Sequence, residues 1–115
     1  MLIPGAAKKV IIHLNEDTGA ARDFLYAEIF RFLYYHGVAG ATMIRPHAGF
    51  GSRHMLHTVG AGSVEGEHLP IRIEFLESAE VVDGILPALC ELVTDGVIEV
   101  QATSIVKAAQ RVQPQ

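Results

Sequence analysis

Residues 69–77, Leu-Pro-Ile-Arg-Ile-Glu-Phe-Leu-Glu, carry the clearest pattern in the chain. Ile71, Ile73 and Phe75 alternate with Arg72, Glu74 and Leu76, so a period of two puts the first three on one face of a strand and the others on the opposite face. Ser78 follows directly and is suited to cap a helix, in which Val82, Ile85, Leu86, Leu89 and Val93 recur at helical spacing. Gly84 and Pro87 sit inside this pattern, and Pro87 is predicted to bend or interrupt the helix. Thr94-Asp95-Gly96 reads as a tight turn, and Val97 to Val106 as a last strand with Ile98 and Val100 opposite Glu99 and Gln101. The tail to Gln115 reads as frayed or helical.

The same unit precedes it. Lys8 to Leu14 reads as a strand, with Val10, Ile12 and Leu14 on one face and Lys9, Ile11 and His13 on the other. After a turn-rich joint from Asn15 to Gly19, Phe24, Leu25, Ile29, Phe32 and Leu33 recur at helical spacing up to His36, and Gly37 is suited to stop the helix. Tyr26, Phe30, Tyr34 and Tyr35 widen its apolar face. Gly40 to His47 reads as the second strand, and Pro46, lacking an N–H, favours an edge or terminal position.

Strand, helix, strand, strand, helix, strand is an α+β order. With right-handed crossovers it gives the ferredoxin-like βαββαβ fold, a four-stranded antiparallel sheet with both helices on one face and a long loop between strands 2 and 3. The other face carries Ile11, Leu76 and the stem of Arg72 among Lys9, His13, Glu74, Glu99 and Gln101. A lone subunit is expected to expose this patch, and a homotrimer with its sheets turned inward to cover it.

With 115 residues, half of them hydrophobic, the chain fits one domain, 1–115, with a core at about 7–107. A net charge of −4 argues against a nucleic-acid binder, which needs a basic stripe. Cys90 is the only cysteine, which excludes an intrachain disulfide, and its place in an apolar helical pattern predicts a buried small hydrophobe. MLIPGAAKK has too short an apolar run for a signal peptide, and no segment approaches the roughly 18 apolar residues of a spanning helix. The expectation is a cytoplasmic protein without direct membrane insertion.

Ala48 to His68 interrupts the pattern with 21 residues and five glycines, a length associated with function. At its start, Ala48-Gly49-Phe50-Gly51 places two glycines around one aromatic, which lets backbone N–H groups approach a ligand beneath a stacking ring. The stretch around His54 to Val59 reads as a continuing ribbon. His47, His54, His57 and His68, with Glu65 and Glu67 nearby, form a candidate set for zinc, nickel or copper. Their spacing matches no known signature, and His54 and His57 share a face only if that stretch is helical. Ser52, Ser63, the histidines and Glu65 are ingredients of catalysis without a recognisable nucleophile and base, so the reading is non-catalytic. No cofactor follows from the residues.

The run GVAGATMIRPHAGFGSRHMLHT at 37–58, LPIRIEFLES after it and ILPALCELVTDGVIEVQATSIVK near the end resemble the PII-like family catalogued as domain of unknown function 190, over about Ala7 to Lys107. The GxAGAT run at Gly37 to Thr42 and the AGFG run at Ala48 to Gly51 are the most specific parts. Members look like nitrogen-regulatory PII proteins: ferredoxin-like trimers whose loop after the second strand is a signalling arm and whose intersubunit clefts take small effectors, often nucleotides. The resemblance implies that Gly49, Phe50 and Gly51 sit at the base of this arm facing the cleft, and that Arg45 and Arg53 meet a small anionic effector. It further implies that the arm, with His54, His57, Gly60, Gly62 and Glu65, meets a protein partner, either a transporter, a channel or a metabolic enzyme. PII proteins also carry a longer glycine-rich loop before the last strand that wraps ATP phosphates, whereas Thr94-Asp95-Gly96 is only a tight turn. No GxxxxGK[ST] run replaces it. The alternative is a metal-binding trimer, similar in architecture to CutA-type proteins, that uses the loop histidines for zinc or copper.

Overall fold

A computed structural model describes residues 2–46, 48–49, 57–58 and 69–111. Strands β1 (Gly5–Asn15) and β5 (Pro70–Ser78) pair antiparallel at its centre, with Val10 opposite Phe75, Ile12 opposite Ile73 and Leu14 opposite Ile71. That register puts six apolar side chains on one face. Helix α1 (Leu25–Tyr35) adds Leu25, Ile29 and Leu33 to them, and helix α2 (Ala79–Leu92) adds Val82, Ile85 and Leu89, giving a single buried cluster. Each fully buried aliphatic or aromatic side chain of this kind contributes about 1.5–3 kcal/mol.

The short strand β2 (Ala41–Ile44) pairs with β5, and β6 (Val97–Ile105) pairs with β1. The sheet order is β2-β5-β1-β6 with every neighbouring pair antiparallel, and both helices lie on one face. This is the expected ferredoxin-like βαββαβ arrangement. Between β2 and β5, strands β3 (Ala48–Gly49) and β4 (His57–Thr58) form a separate two-stranded antiparallel ribbon, in which only the backbone is described.

The helix ends follow local chemistry. Ser78 Oγ accepts a hydrogen bond from Val81 N at 3.2 Å, the expected cap. At the start of α1 no side chain of the capping residue Phe24 is polar. Instead Asp23 Oδ1 accepts from Phe24 N at 2.7 Å and Oδ2 from Arg31 Nη2 at 3.2 Å. The backbone bond and the guanidinium together hold the Asp23 carboxyl below its ordinary value of 3.8. Gly37, at φ +76°, ends α1 as expected.

Several expectations are corrected. Helix α2 runs unbroken through Pro87, because Gly84, Pro87 and Ala88 lie on its exposed side while Val82, Ile85 and Leu89 anchor it before and after the proline. Asp83, whose carbonyl loses its helical partner to the proline, is itself exposed, so water can take the place of the missing N–H. Cys90 is exposed, one step round the helix from buried Leu89. Strand β2 is only four residues long, ending at the Ile44–Arg72 pair two residues before Pro46. Tyr26 and Phe30 pack against the core, whereas Tyr34 and Tyr35 are 78% and 79% exposed. Of the two alternatives expected for the tail, frayed or helical, the helical one is excluded for residues 106–111. Among the described residues no helix is long and apolar enough to cross a membrane.

Candidate functional site

Strand register brings both ends of the inserted segment to one end of the sheet. Ile44 lies opposite Arg72 where β2 stops, and Pro70 lies opposite Asn15 where β5 begins and β1 ends. Arg45, the sequence-predicted anion ligand that the structure describes fully, extends from this end, and its Nη2 is ion-paired with Glu16 Oε1. The Arg45 side chain is 56% exposed and that of Glu16 only 16%. Glu16 also donates its backbone N–H to the Leu69 carbonyl at 3.0 Å, and Leu69 is buried. One residue thus holds the departure of the segment through its side chain and the return through its backbone. Sequence reading missed Glu16, since nothing local marks its partner 29 positions away.

The turn at 94–96 closes the same end. Gly96 adopts φ +148°, and a Cβ there would stand 2.5 Å from the His13 carbonyl oxygen, so the turn lies directly on β1. A recess of about 270 Å³ bounded by His13, Asn15, Pro70, Asp95 and Gly96 remains beside it.

Gly49 pairs with His57 in the β3–β4 ribbon and Ala48 with Thr58, in keeping with the ribbon expected there. Phe50, Gly51, Arg53, His54, Gly60, Gly62 and Glu65 lie outside the described residues, as do His47 and His68. Among the described residues there is no group of three or more histidine, cysteine, aspartate or glutamate side chains placed to hold a metal ion.

The GxAGAT run has a structural anchor that sequence reading did not single out. Glu77 is 3% exposed; its Oε1 accepts from Ala39 N at 2.8 Å and its Oε2 from Ser78 N at 3.1 Å. Period two offered the signal, because position 77 continues the inward series 71, 73, 75. On the open face of the sheet, Glu74 lies 3.9 Å from Lys9 Nζ and 3.6 Å from Arg72 Nε, while His13 Nε2 is 2.9 Å from Glu99 Oε1. Ile11, expected to be exposed in a lone subunit, is 7% exposed between these flanking side chains. At the end of the face away from Arg45, Lys9, Thr42, Glu74, Gln101 and Thr103 border a concavity of about 480 Å³.

A model of the family DUF190, described as "Uncharacterized ACR", matches residues 7–105. No curated protein matches the chain. Among solved structures, the chain is similar to a PII-like signalling protein from Thermus thermophilus, with 26% identity, 92% of this chain and 94% of that one covered, and a TM-score of 0.63. It is also similar to CPII, a nitrogen regulatory PII-like protein from Thiomonas intermedia bound to ADP, AMP and bicarbonate, with 19% identity, coverage of 93% and 94%, and a TM-score of 0.60. The apo form of CPII gives 17% identity, coverage of 91% and 95%, and a TM-score of 0.52. Fold, motifs and the match over 7–105 agree: the chain belongs to the DUF190 family and has the ferredoxin-like fold of PII-like signalling proteins.

Proposed function

We propose that this protein is a non-catalytic PII-like regulator, a homotrimer that takes a small anionic, nucleotide-like effector in its intersubunit clefts and reports it through residues 48–68 to a protein partner. The observation that carries the reading is the convergence at one sheet end of Arg45, both ends of the inserted segment and the 94–96 turn. CPII, with the same fold, is bound to ADP, AMP and bicarbonate, which makes these the first ligands to test. The short 94–96 turn gives little backbone to wrap a phosphate chain, so charge neutralisation falls to Arg45 and Arg53, with Gly49, Phe50 and Gly51 contributing close backbone approach and a stacking ring. The kind of partner, a transporter, channel or metabolic enzyme, is what the resemblance to PII-like proteins suggests.

Native mass spectrometry of the freshly purified protein, with ADP, AMP and bicarbonate added separately and metal content measured in parallel, tests the reading. The expected result is a trimer carrying up to three nucleotides. A monomer, or a trimer that takes none of the three ligands, refutes it, and stoichiometric zinc or copper would place the site at His47, His54, His57 and His68.

A further inference from the structure

We infer that Glu16 is a clasp that competes with the anionic effector for Arg45, so that effector binding releases the departure of the inserted segment from its return. The inference rests on the proposed reading of Arg45 as an effector ligand. Its grounds are the two bonds of Glu16. The carboxylate holds Arg45, one residue beyond the end of β2, and the backbone N–H holds Leu69, one residue before β5. The two partners differ in freedom. Leu69 is buried and pinned at the edge of the core, whereas Arg45 is more than half exposed and its long side chain can turn to another acceptor. In the chain as it stands the guanidinium charge is already neutralised by a carboxylate. A phosphate arriving at Arg45 meets a neutral pair, and in drawing the guanidinium to itself it must break the contact with Glu16. The backbone bond from Glu16 to Leu69 has no part in that exchange and stays. The chain after β2 is thereby uncoupled from the chain before β5, which gives an effector at the sheet end a direct physical route to the segment between them.

The clasp reduces apparent affinity to its intrinsic value multiplied by the fraction of time Arg45 is free. A partly exposed ion pair of this kind is worth up to about 1 kcal/mol, so removing it should tighten ADP binding about threefold to fivefold. The test titrates ADP by calorimetry into wild type, Glu16→Gln and Arg45→Ala, each first checked for unchanged circular dichroism and oligomeric state. The clasp requires that Glu16→Gln bind ADP several times more tightly and Arg45→Ala at least tenfold more weakly. A damaged site would weaken both, so a gain is not open to a merely structural explanation. If Arg45→Ala weakens binding while Glu16→Gln is unchanged or weaker, the effector site stands and the clasp is overturned, with Glu16 instead supporting Arg45 for the ligand. If Arg45→Ala binds ADP as wild type does, or wild type binds no ADP at millimolar concentration, the reading of the site fails and the clasp with it. Side-chain 15N NMR of Arg45 gives a second readout: the guanidinium signal of the free wild type should move on Glu16→Gln and on saturation with ADP, and a signal unchanged in both overturns the competition.

Discussion

Glu77 offers a sharp test of how the family motif shapes the fold. Its carboxylate is buried with each oxygen accepting one backbone N–H, from Ala39 and from Ser78. It also sits immediately before α2, whose N-terminal end carries the positive pole of the helix dipole. Replacing Glu77 by Gln keeps the shape but supplies only one acceptor; the amide nitrogen must then face a backbone N–H, donor against donor. A lost charge-assisted bond with an unsatisfied donor costs about 1–3 kcal/mol, and because Ala39 is itself exposed and water can partly replace its acceptor, about 1–2 kcal/mol is expected. Glu77→Ala removes both acceptors and leaves a void, for about 2–4 kcal/mol. At equal protein concentration the urea midpoint of Glu77→Gln should fall by roughly 0.5–1 M, with a larger fall for Ala. The Ala39 amide should exchange faster in both variants, whereas Glu80→Gln, in the exposed first turn of α2, should cost no more than the roughly 0.3–1 kcal/mol of its interaction with the helix dipole and leave Ala39 exchange unaltered. A Glu77→Gln protein as stable as wild type, with Ala39 exchange unaltered, would refute the anchoring role.

Other residues give contrasting signs. Gly96→Ala forces a Cβ to within 2.5 Å of the His13 carbonyl at a φ of +148° and should destabilise by about 2–3 kcal/mol, whereas Gly84→Ala, in mid-helix with nothing within 4 Å of the added carbon, should stabilise by about 0.5–1 kcal/mol in the same thermal melts. Equal effects would show that the turn can give way. Asp23 is a folded-state carboxyl held below 3.8, so the folded chain binds its proton more weakly than the unfolded chain does. Its contribution is therefore complete above that value and lost as the pH falls through the lower folded value. The stability difference between wild type and Asp23→Asn should be constant from pH 7 to about pH 5 and shrink below about pH 4. A difference that persists unchanged into acid refutes the assignment.

What the sequence revealed and concealed follows from the range of the forces involved. The strands were legible because alternation is local: the faces of residues 10–14 and 71–75 follow from period two, and the observed register agrees. Helical period locates a buried face only to within a residue, which is why Cys90, beside Leu89, was expected inside and lies outside. Pro87 was read as bending or interrupting the helix because its local cost is real; the interruption does not occur, because the anchoring of Val82, Ile85 and Leu89 outweighs that cost. Arg45 became a candidate only through the resemblance to the PII-like family, since alternation alone placed it inside the expected strand Gly40–His47. Its partner Glu16, and the meeting of Glu77 with Ala39, depend on contacts 29 and 38 residues apart that no window of sequence contains.

The open face of the sheet bears on the proposed trimer in a way its apolar residues alone would not suggest. Ile11 is already covered within one chain, so the face offers an incoming subunit chiefly Val97 at its rim and a lattice of Lys9, Arg72, Glu74, Glu99 and His13. Half-exposed ion pairs of this kind contribute only about 0–1 kcal/mol each to the single chain. Taking them out of water against an apolar surface would cost more than they contribute, since the desolvation of both charges of a buried pair exceeds what their mutual attraction returns. Association through this face therefore gains only where each lysine and arginine meets a glutamate of the next copy, a condition that a three-fold arrangement of identical faces can satisfy because each face carries both signs. In the proposed trimer the lattice would select the register in which the sheets meet, leaving the rim and the strand edges to supply the affinity.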